Sequence, residues 1–185
     1  MAAGADTQSP QAADERQAIQ EANSLLQAEI KLAAKPQTYL MIDIQRRVVL
    51  VKARGLELHW MPFVSLRSSG ERPSTGLFRL TARPPVDRPQ AKPGEDATEH
   101  PIDLSNMPME YQLDLDPSLT VMVGPPPYEN LWLWLWSFLR EGWARITSIG
   151  GGSWMKLTLL PQHARSLAWL VTDDMPVLIG RATLP

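Results

Sequence analysis

Cysteine is absent from this chain of 185 residues. Its absence excludes disulfides, thiolate metal sites and cysteine nucleophiles, but it leaves the cellular compartment open. The sequence also lacks a run of about 18 apolar residues, so we expect no transmembrane helix. The net charge of −2 gives no electrostatic reason to expect nucleic acid as a partner. The first residues, MAAGADTQSP, contain no basic stretch followed by an apolar one, so no signal peptide is expected there.

Histidine is scarce as well, and the sequence lacks the spacing of residues that metal sites, phosphate-binding loops and serine catalytic triads require. His59, His100 and His163 have no spacing typical of metal ligands on a helix, so we expect no metal site. The glycine run at 150–152 lacks the lysine and hydroxyl residues of a phosphate-binding loop. Ser153 has no histidine near it in sequence to act as a base. The sequence therefore predicts no bound cofactor.

Most of the regular sequence patterns in the chain are typical of β-strands, and the clearest of them covers Thr38–Phe63. Apolar residues alternate with others up to Ile44, β-branched residues follow at Val48–Val51, and alternation returns from Leu56 to Trp60. Gln45–Arg47 and Arg54-Gly55 supply the turns, with a glycine where positive φ can be needed. We expect a three-stranded meander, half-buried, with its apolar face covered by another part of the chain.

An N-terminal helix is predicted between Pro10 and Pro36. Its apolar face is expected to consist of residues at helical spacing, namely Ile19, Ala22, Leu26, Ile30 and Ala33. We favour a helix that docks on its own domain. A partner-binding helix, with self-association through residues 10–34, is an alternative, and a spacer from a membrane is another.

The middle of the chain alternates between a loop and apolar stretches. Residues 84–108 are rich in proline and have no aromatic residue, which indicates a surface loop insertion, with a flap over a groove as the alternative. Met109–Val123 predicts a hairpin with its turn at Asp116-Pro117-Ser118. Residues 130–139, NLWLWLWSFL, fit either a strand or a short helix, and we favour the helix. Core packing is the simplest role for these tryptophans; a partner surface, a membrane contact or a sugar-stacking platform are alternatives.

Three short motifs resemble the L,D-transpeptidase (YkuD-like) catalytic domain. They are Pro62–Ser65, then Ser74–Phe78, and then Ser148–Ile179, where Pro161 begins a helix and Pro176–Ile179 forms a closing strand. In that family, Pro-Val-Ser-like and Pro-Thr-Gly-x-Phe segments precede a catalytic His-Gly pair and a Ser-His-Gly-Cys-x-Arg motif. The order and spacing of the matches carry the resemblance.

The catalytic residues of the family do not match. Ser153-Trp154-Met155-Lys156 stands where Ser-His-Gly-Cys belongs, so Lys156 takes the place of the nucleophile. Thr158 takes the place of the arginine, and Glu141-Gly142 that of the His-Gly pair. Since the family's reaction needs a thiolate activated by histidine, the resemblance implies a degenerate domain without catalysis. An ion pair between Glu141 and Lys156 would keep both groups charged and make neither of them reactive.

The resemblance implies an α+β, mostly β fold: a mixed sheet or sandwich with one C-terminal helix packed on it, preceded by the N-terminal helix. Residues 1–35 would form the tail and helix, and 36–181 the L,D-transpeptidase-like domain. The expected function is non-catalytic binding of peptidoglycan or another cell-envelope component, in the envelope or periplasm. The expected groove residues are Glu141, Ser153, Trp154, Lys156 and Thr158. Alternatives are an interaction protein acting through the helix and tryptophans, an enzyme with unrelated chemistry at Glu141 and Lys156, and a cytoplasmic location.

Overall fold

A computed structural model describes residues 10–70, 73–86, 103–126 and 153–181. Strands hold more of these residues than helices do, and two helices are among them, as expected. The helices are α1 (Pro10–Ala33) and α2 (Pro161–Leu170). The strands are β1 (Thr38–Asp43), β2 (Val48–Ala53), β3 (Leu56–Ser68), β4 (Gly76–Ala82), β5 (Tyr111–Asp116), β6 (Leu119–Gly124), β7 (Ser153–Leu159) and β8 (Pro176–Gly180).

The predicted meander is confirmed: β1, β2 and β3 pair antiparallel in chain order. Arg54 and Gly55 make the second turn with φ of 51° and 80°, so the glycine lies where left-handed backbone is required. β3 differs from the expectation in length, because it continues past Pro62 to Ser68. Its first half pairs with β2 and its second half with β7, which a local pattern does not reveal.

The sheet closes on itself in the order β1-β2-β3-β7-β6-β5-β4-β8. Closure comes from β8, which runs parallel to β1 on one side and antiparallel to β4 on the other. The expectation of a mixed sheet is therefore met, and the architecture is a closed barrel. The parallel pair β6 and β7 supplies the second crossover.

The barrel interior is filled by the inward residues of the strands. The predicted hairpin is confirmed as β5 and β6, whose alternate residues Leu113, Val121 and Val123 lie in this core. Helix α2 is also confirmed, and it buries Ala164 and Leu167 against the same core. The Tyr111 hydroxyl donates a hydrogen bond to the Ala164 carbonyl over 2.9 Å, which ties the helix to β5.

Helix α1 covers the outer face of β1 and β8, so these strands are buried on both faces. The prediction of a docked helix is confirmed, but its predicted apolar face is wrong. Leu25 and Leu32 are buried, while Ile19, Leu26 and Ile30 are 61%, 45% and 60% exposed. The apolar stripe of the helix is wide: one edge packs on the sheet, and the other is exposed, with Ile19 and Leu26 at the rim of a cavity between the helix and the sheet.

A buried ion pair fastens α1 to the outer face of the barrel. Lys52 on β2 donates a hydrogen bond to Glu29 on α1, and both side chains are largely removed from solvent. Tyr39, opposite Lys52 on β1, places its hydroxyl 3.5 Å from the same carboxylate oxygen. Burial, and then the charge of Glu29, raise the pKa of Tyr39 to about 12.

The apolar residues at the start of β3 are exposed, contrary to the expectation that they face a covered side. Leu56, Leu58 and Trp60 are 70%, 58% and 64% exposed. The alternation of these residues correctly predicted a strand. It could not show that β7 pairs with β3 only from Phe63 onwards, beyond these residues.

Two of the remaining predictions fall largely outside the described residues. Most of the proline-rich insertion, 87–102, and the whole aromatic stretch 130–139 lie there. The boundary between residues 1–35 and 36–181 stays a prediction. None of the helices that the structure describes is long and apolar enough to cross a membrane.

Gly180 on β8 provides the first test of this arrangement. A Cβ at this position would overlap the two methyl carbons of Leu25, so that side chain or α1 itself would have to move. We therefore expect Gly180→Ala to lower the free energy of unfolding by about 1–3 kcal/mol through overpacking, as measured by urea denaturation. Gly124→Ala is the matched control, since its Cβ would have its nearest neighbour at 3.8 Å. Equal stability of the two variants would contradict the packing described.

The pKa of Tyr39 generates a prediction for alkaline pH. A tyrosine whose pKa rises from 10.0 to about 12 on folding is held neutral in the native state. Its contribution to stability is fully present below pH 10 and is lost as pH rises towards about 12. We expect Tyr39→Phe to reduce the decline in the free energy of unfolding over this interval. Parallel stability curves for the two proteins would contradict the prediction.

Candidate functional site

The residues that the sequence singled out lie mainly on β7, which alternates between the barrel interior and its outer surface. Met155, Leu157 and Leu159 are in the core. Trp154, Lys156 and Thr158 occupy the alternate positions and therefore face outward together. Three of the five predicted groove residues thus share one face.

Thr158 is the most buried of the three. It is opposite Ser65 on β3, and the Ser65 hydroxyl donates a hydrogen bond to the Thr158 hydroxyl over 2.9 Å. This contact links the outer faces of β3 and β7 close to the irregularity between Phe63 and Ser65. It fixes a hydroxyl pair at one end of the face.

Lys156 lies directly opposite Arg67 on β3 and opposite Met122 on β6. Two cationic side chains therefore stand side by side in the middle of this outer face. Like charges opposite each other in antiparallel strands are destabilising by themselves. The arrangement concentrates positive charge on a chain whose net charge is −2.

Trp154 lies next to this cationic pair, two residues along β7. Its backbone exchanges hydrogen bonds with Ser69, whose N–H donates to the Trp154 carbonyl over 2.9 Å. On the other side it is opposite Thr120 of β6, whose hydroxyl donates to Asp114 over 3.1 Å. An aromatic side chain with polar neighbours thus continues the face beyond Lys156.

Two predicted groove residues are not part of this face. Ser153 begins β7 with the parity of the inward residues, and its N–H donates to the Ser118 carbonyl over 3.2 Å. Glu141 lies outside the described residues, so its ion pair with Lys156 stays a prediction. We call the set Ser65, Arg67, Thr120, Met122, Trp154, Lys156 and Thr158 the outer β7 face.

The outer β7 face offers binding groups. Hydroxyls, two cations and an aromatic side chain can contact sugars and anions. Within the described ranges, no group of three or more histidine, aspartate or glutamate side chains is placed to hold a metal ion. Arg67 and Ser65 were missed as site residues, because their position depends on how β3 pairs with β7.

A concave region lies under α1, away from β7. This cavity of about 350 Å³ lies between the helix and the outer face of the sheet. It is lined mainly by apolar residues, among them Ala18, Ala22, Leu26, Met41 and Leu178. None of the four predicted groove residues that the structure describes lines it, so the cavity is separate from the outer β7 face.

The sequence matches no protein-family model, and the search of curated proteins finds no match either. Among solved structures, the chain is similar to a crystal structure of a mutant L,D-transpeptidase from Enterococcus faecium, with a TM-score of 0.40 and 15% sequence identity. The similarity covers 77% of this chain and 49% of that one, so this chain spans about half the length of that protein. Membership of the family stays a prediction.

The like-charge pair on the outer β7 face predicts a gain in stability on substitution. Arg67→Glu replaces repulsion by attraction to Lys156, so we expect the free energy of unfolding to rise by about 0.2–1 kcal/mol. The gain should shrink at high salt, where exposed charges are screened. Arg46→Glu, in the exposed turn before β2, is the charge-matched control and should not stabilise, because Arg46 lies 3.6 Å from Glu57. Stabilisation by both variants would point to net charge rather than to the pair.

Proposed function

We propose that this protein is a non-catalytic, L,D-transpeptidase-like binding module of the cell envelope. Its ligand surface is the outer β7 face, and its ligand is peptidoglycan or a similar anionic envelope polymer. The observation that carries the proposal is the pairing of Arg67 with Lys156 beside Trp154. The motifs at Pro62–Ser65, Ser74–Phe78 and Ser148–Ile179 support the family assignment.

The chemistry of the face suits such a polymer. Peptidoglycan presents sugar rings, which stack on aromatic side chains, and peptide carboxylates, which pair with cations. A carboxylate bound between Arg67 and Lys156 would offset the repulsion between them. The hydroxyls of Ser65 and Thr120 lie on either side and can hydrogen-bond to sugar or peptide groups.

Binding without catalysis follows from the residues at the positions of the family's motif. A thiolate nucleophile is excluded because the chain has no cysteine. Lys156, at the nucleophile's position, lies on the outer face of the barrel among hydroxyl, aromatic and cationic side chains that can bind a ligand. We therefore assign it a role in ligand binding.

Co-sedimentation with isolated peptidoglycan sacculi tests the proposal. We expect the protein to sediment with sacculi, and Lys156→Glu to weaken binding by at least about tenfold, because an exchanged charge at the centre of the face repels a carboxylate. Binding should also weaken as salt concentration rises. The bond pattern of the sacculi should be unchanged after incubation.

Lys31→Glu on α1 is the matched control, because it makes the same change in net charge at an exposed position remote from β7. It should bind like the parent. Failure of the parent to sediment would refute peptidoglycan as the ligand. Equal loss in both variants would show that net charge, and not the outer β7 face, governs binding.

The exposed edge of α1 favours a second candidate, an interaction protein that acts through this helix. Ile19, Leu26 and Ile30 repeat at helical spacing and are exposed. Ile30→Lys would disrupt such a partner contact without touching the outer β7 face. If the Ile30→Lys variant binds sacculi as well as the parent does, the result favours the first proposal.

A further inference from the structure

The cavity under α1 has the size and lining of a small-molecule pocket. Its volume of about 350 Å³ lies at the lower end of the range of about 300–1,000 Å³ that is typical of ligand pockets. Met41 and Leu178 form its floor on the outer surface of the barrel, and both are buried. No residue of the outer β7 face lines it, so a ligand here would be independent of the proposed peptidoglycan site.

The cavity is elongated along the helix. Its lining residues on α1 extend from Ala18 to Glu29, which is about three turns or 16 Å of helix. Several of the residues along it have small side chains or none, namely Ala18, Ala22 and Gly180. A long cavity of this volume fits one extended chain better than a fused ring system.

Apolar side chains at the rim of the cavity remain exposed. Ile19 and Leu26 both line it, and both are exposed. Exposed apolar groups of this kind mark interaction sites and ligand grooves. An alkyl chain in the cavity would contact these two side chains as well as the floor, and the burial of apolar surface would favour its binding.

The charges at the cavity indicate the chemistry of the other end of the ligand. Glu29 is already paired with Lys52, and Asn23 is neutral. Arg181, which follows β8, is exposed and makes no ion pair or side-chain hydrogen bond with any residue that the structure describes. A guanidinium is always charged and binds carboxylates through two parallel hydrogen bonds. The uncompensated charge at the cavity is therefore positive.

Glu29 and Arg181 lie towards opposite ends of the cavity. The Glu29 carboxylate is 3.5 Å from the Tyr39 hydroxyl. Gly180, next to Arg181, is opposite Asp43 on β1, four residues beyond Tyr39. Four residues of a strand span about 13 Å. A carboxylate at Arg181 would therefore lie away from the negative charge of Glu29.

We propose that the cavity under α1 binds a single-chain fatty acid. The alkyl chain lies between α1 and the floor at Met41 and Leu178, and the carboxylate pairs with Arg181 at the end of β8. The elongated shape and the exposed apolar rim account for the chain. The uncompensated positive charge accounts for the carboxylate.

Isothermal titration calorimetry of the full chain with decanoate, below its micelle-forming concentration, tests the proposal. We expect the parent to bind decanoate at one site per chain. Decanoate should also raise the Tm as its concentration rises, because a ligand that binds only the folded state stabilises that state. A parent that does not bind decanoate, or whose Tm falls with it, would overturn the proposal.

Ala22→Leu places a larger side chain in the cavity, and we expect it to weaken decanoate binding by at least about tenfold, because chain and side chain would overlap. Cavity-filling substitutions commonly stabilise a protein, so this variant should keep or exceed the parent's Tm without ligand. Gln27→Leu is the matched control, since Gln27 is exposed on the same helix and does not line the cavity. Equal affinity of the two variants would place decanoate elsewhere and overturn the proposal.

Arg181→Gln tests the pairing with the carboxylate. Because exposed ion pairs are weak, we expect the affinity for decanoate to fall about two- to fivefold. The affinity for decanol, which has the same chain without the charge, should be the same in the variant and the parent.

Lys31→Gln removes the same charge from an exposed position on α1 outside the cavity, and it should bind decanoate like the parent. Equal losses of decanoate and decanol in Arg181→Gln would overturn the proposal, as would an equal effect of Lys31→Gln. None of these measurements uses sacculi, so the result does not depend on peptidoglycan binding.

Discussion

The pairing of β8 on both sides is the constraint on which the rest of the structure depends. Val177 and Ile179 fill the interior, while the same strand joins β1 to β4 and closes the barrel. On the outer surface, Gly180 leaves the space that Leu25 of α1 occupies. One strand of five residues, Pro176–Gly180, therefore creates the enclosed core and admits the helix. Because closure fixes the position of every strand around the barrel, it also fixes how β3, β7 and β6 lie beside one another.

The elements were predictable where local pattern and turn chemistry agree. The meander, the β5–β6 hairpin, α2 and β8 follow from alternation, from Arg54-Gly55 and from the prolines at helix and strand starts. Burial was less predictable. Tyr39 and Met41 lie on the side of the strand that alternation left open to solvent, yet they are covered because α1 packs over them. Which edge of α1 faces the sheet depends on Gly180 and on Lys52 meeting Glu29. These contacts join distant parts of the chain, so no local period contains them.

The candidate site shows the same division between local and distant information. Once Ser153–Leu159 is a strand, its period of two puts Trp154, Lys156 and Thr158 on one face and turns Ser153 away. Arg67 joins them only through the register of β3 with β7, which is irregular between Phe63 and Ser65. A slip of one residue would have exchanged Arg67 for Leu66, and the cationic pair would be lost. The sequence could therefore suggest Lys156, but not its neighbour.

The exposed start of β3 and the cationic pair are two consequences of one long strand. β3 extends over 13 residues, and β7 covers only its second half. The half beside β7 carries Ser65 and Arg67 of the outer β7 face. The half that pairs only with β2 among the described strands carries Leu56, Leu58 and Trp60, which are exposed. The bulge that leaves Leu58 without a partner on β2 changes which side chains share a face, so alternation along the sequence does not give their directions.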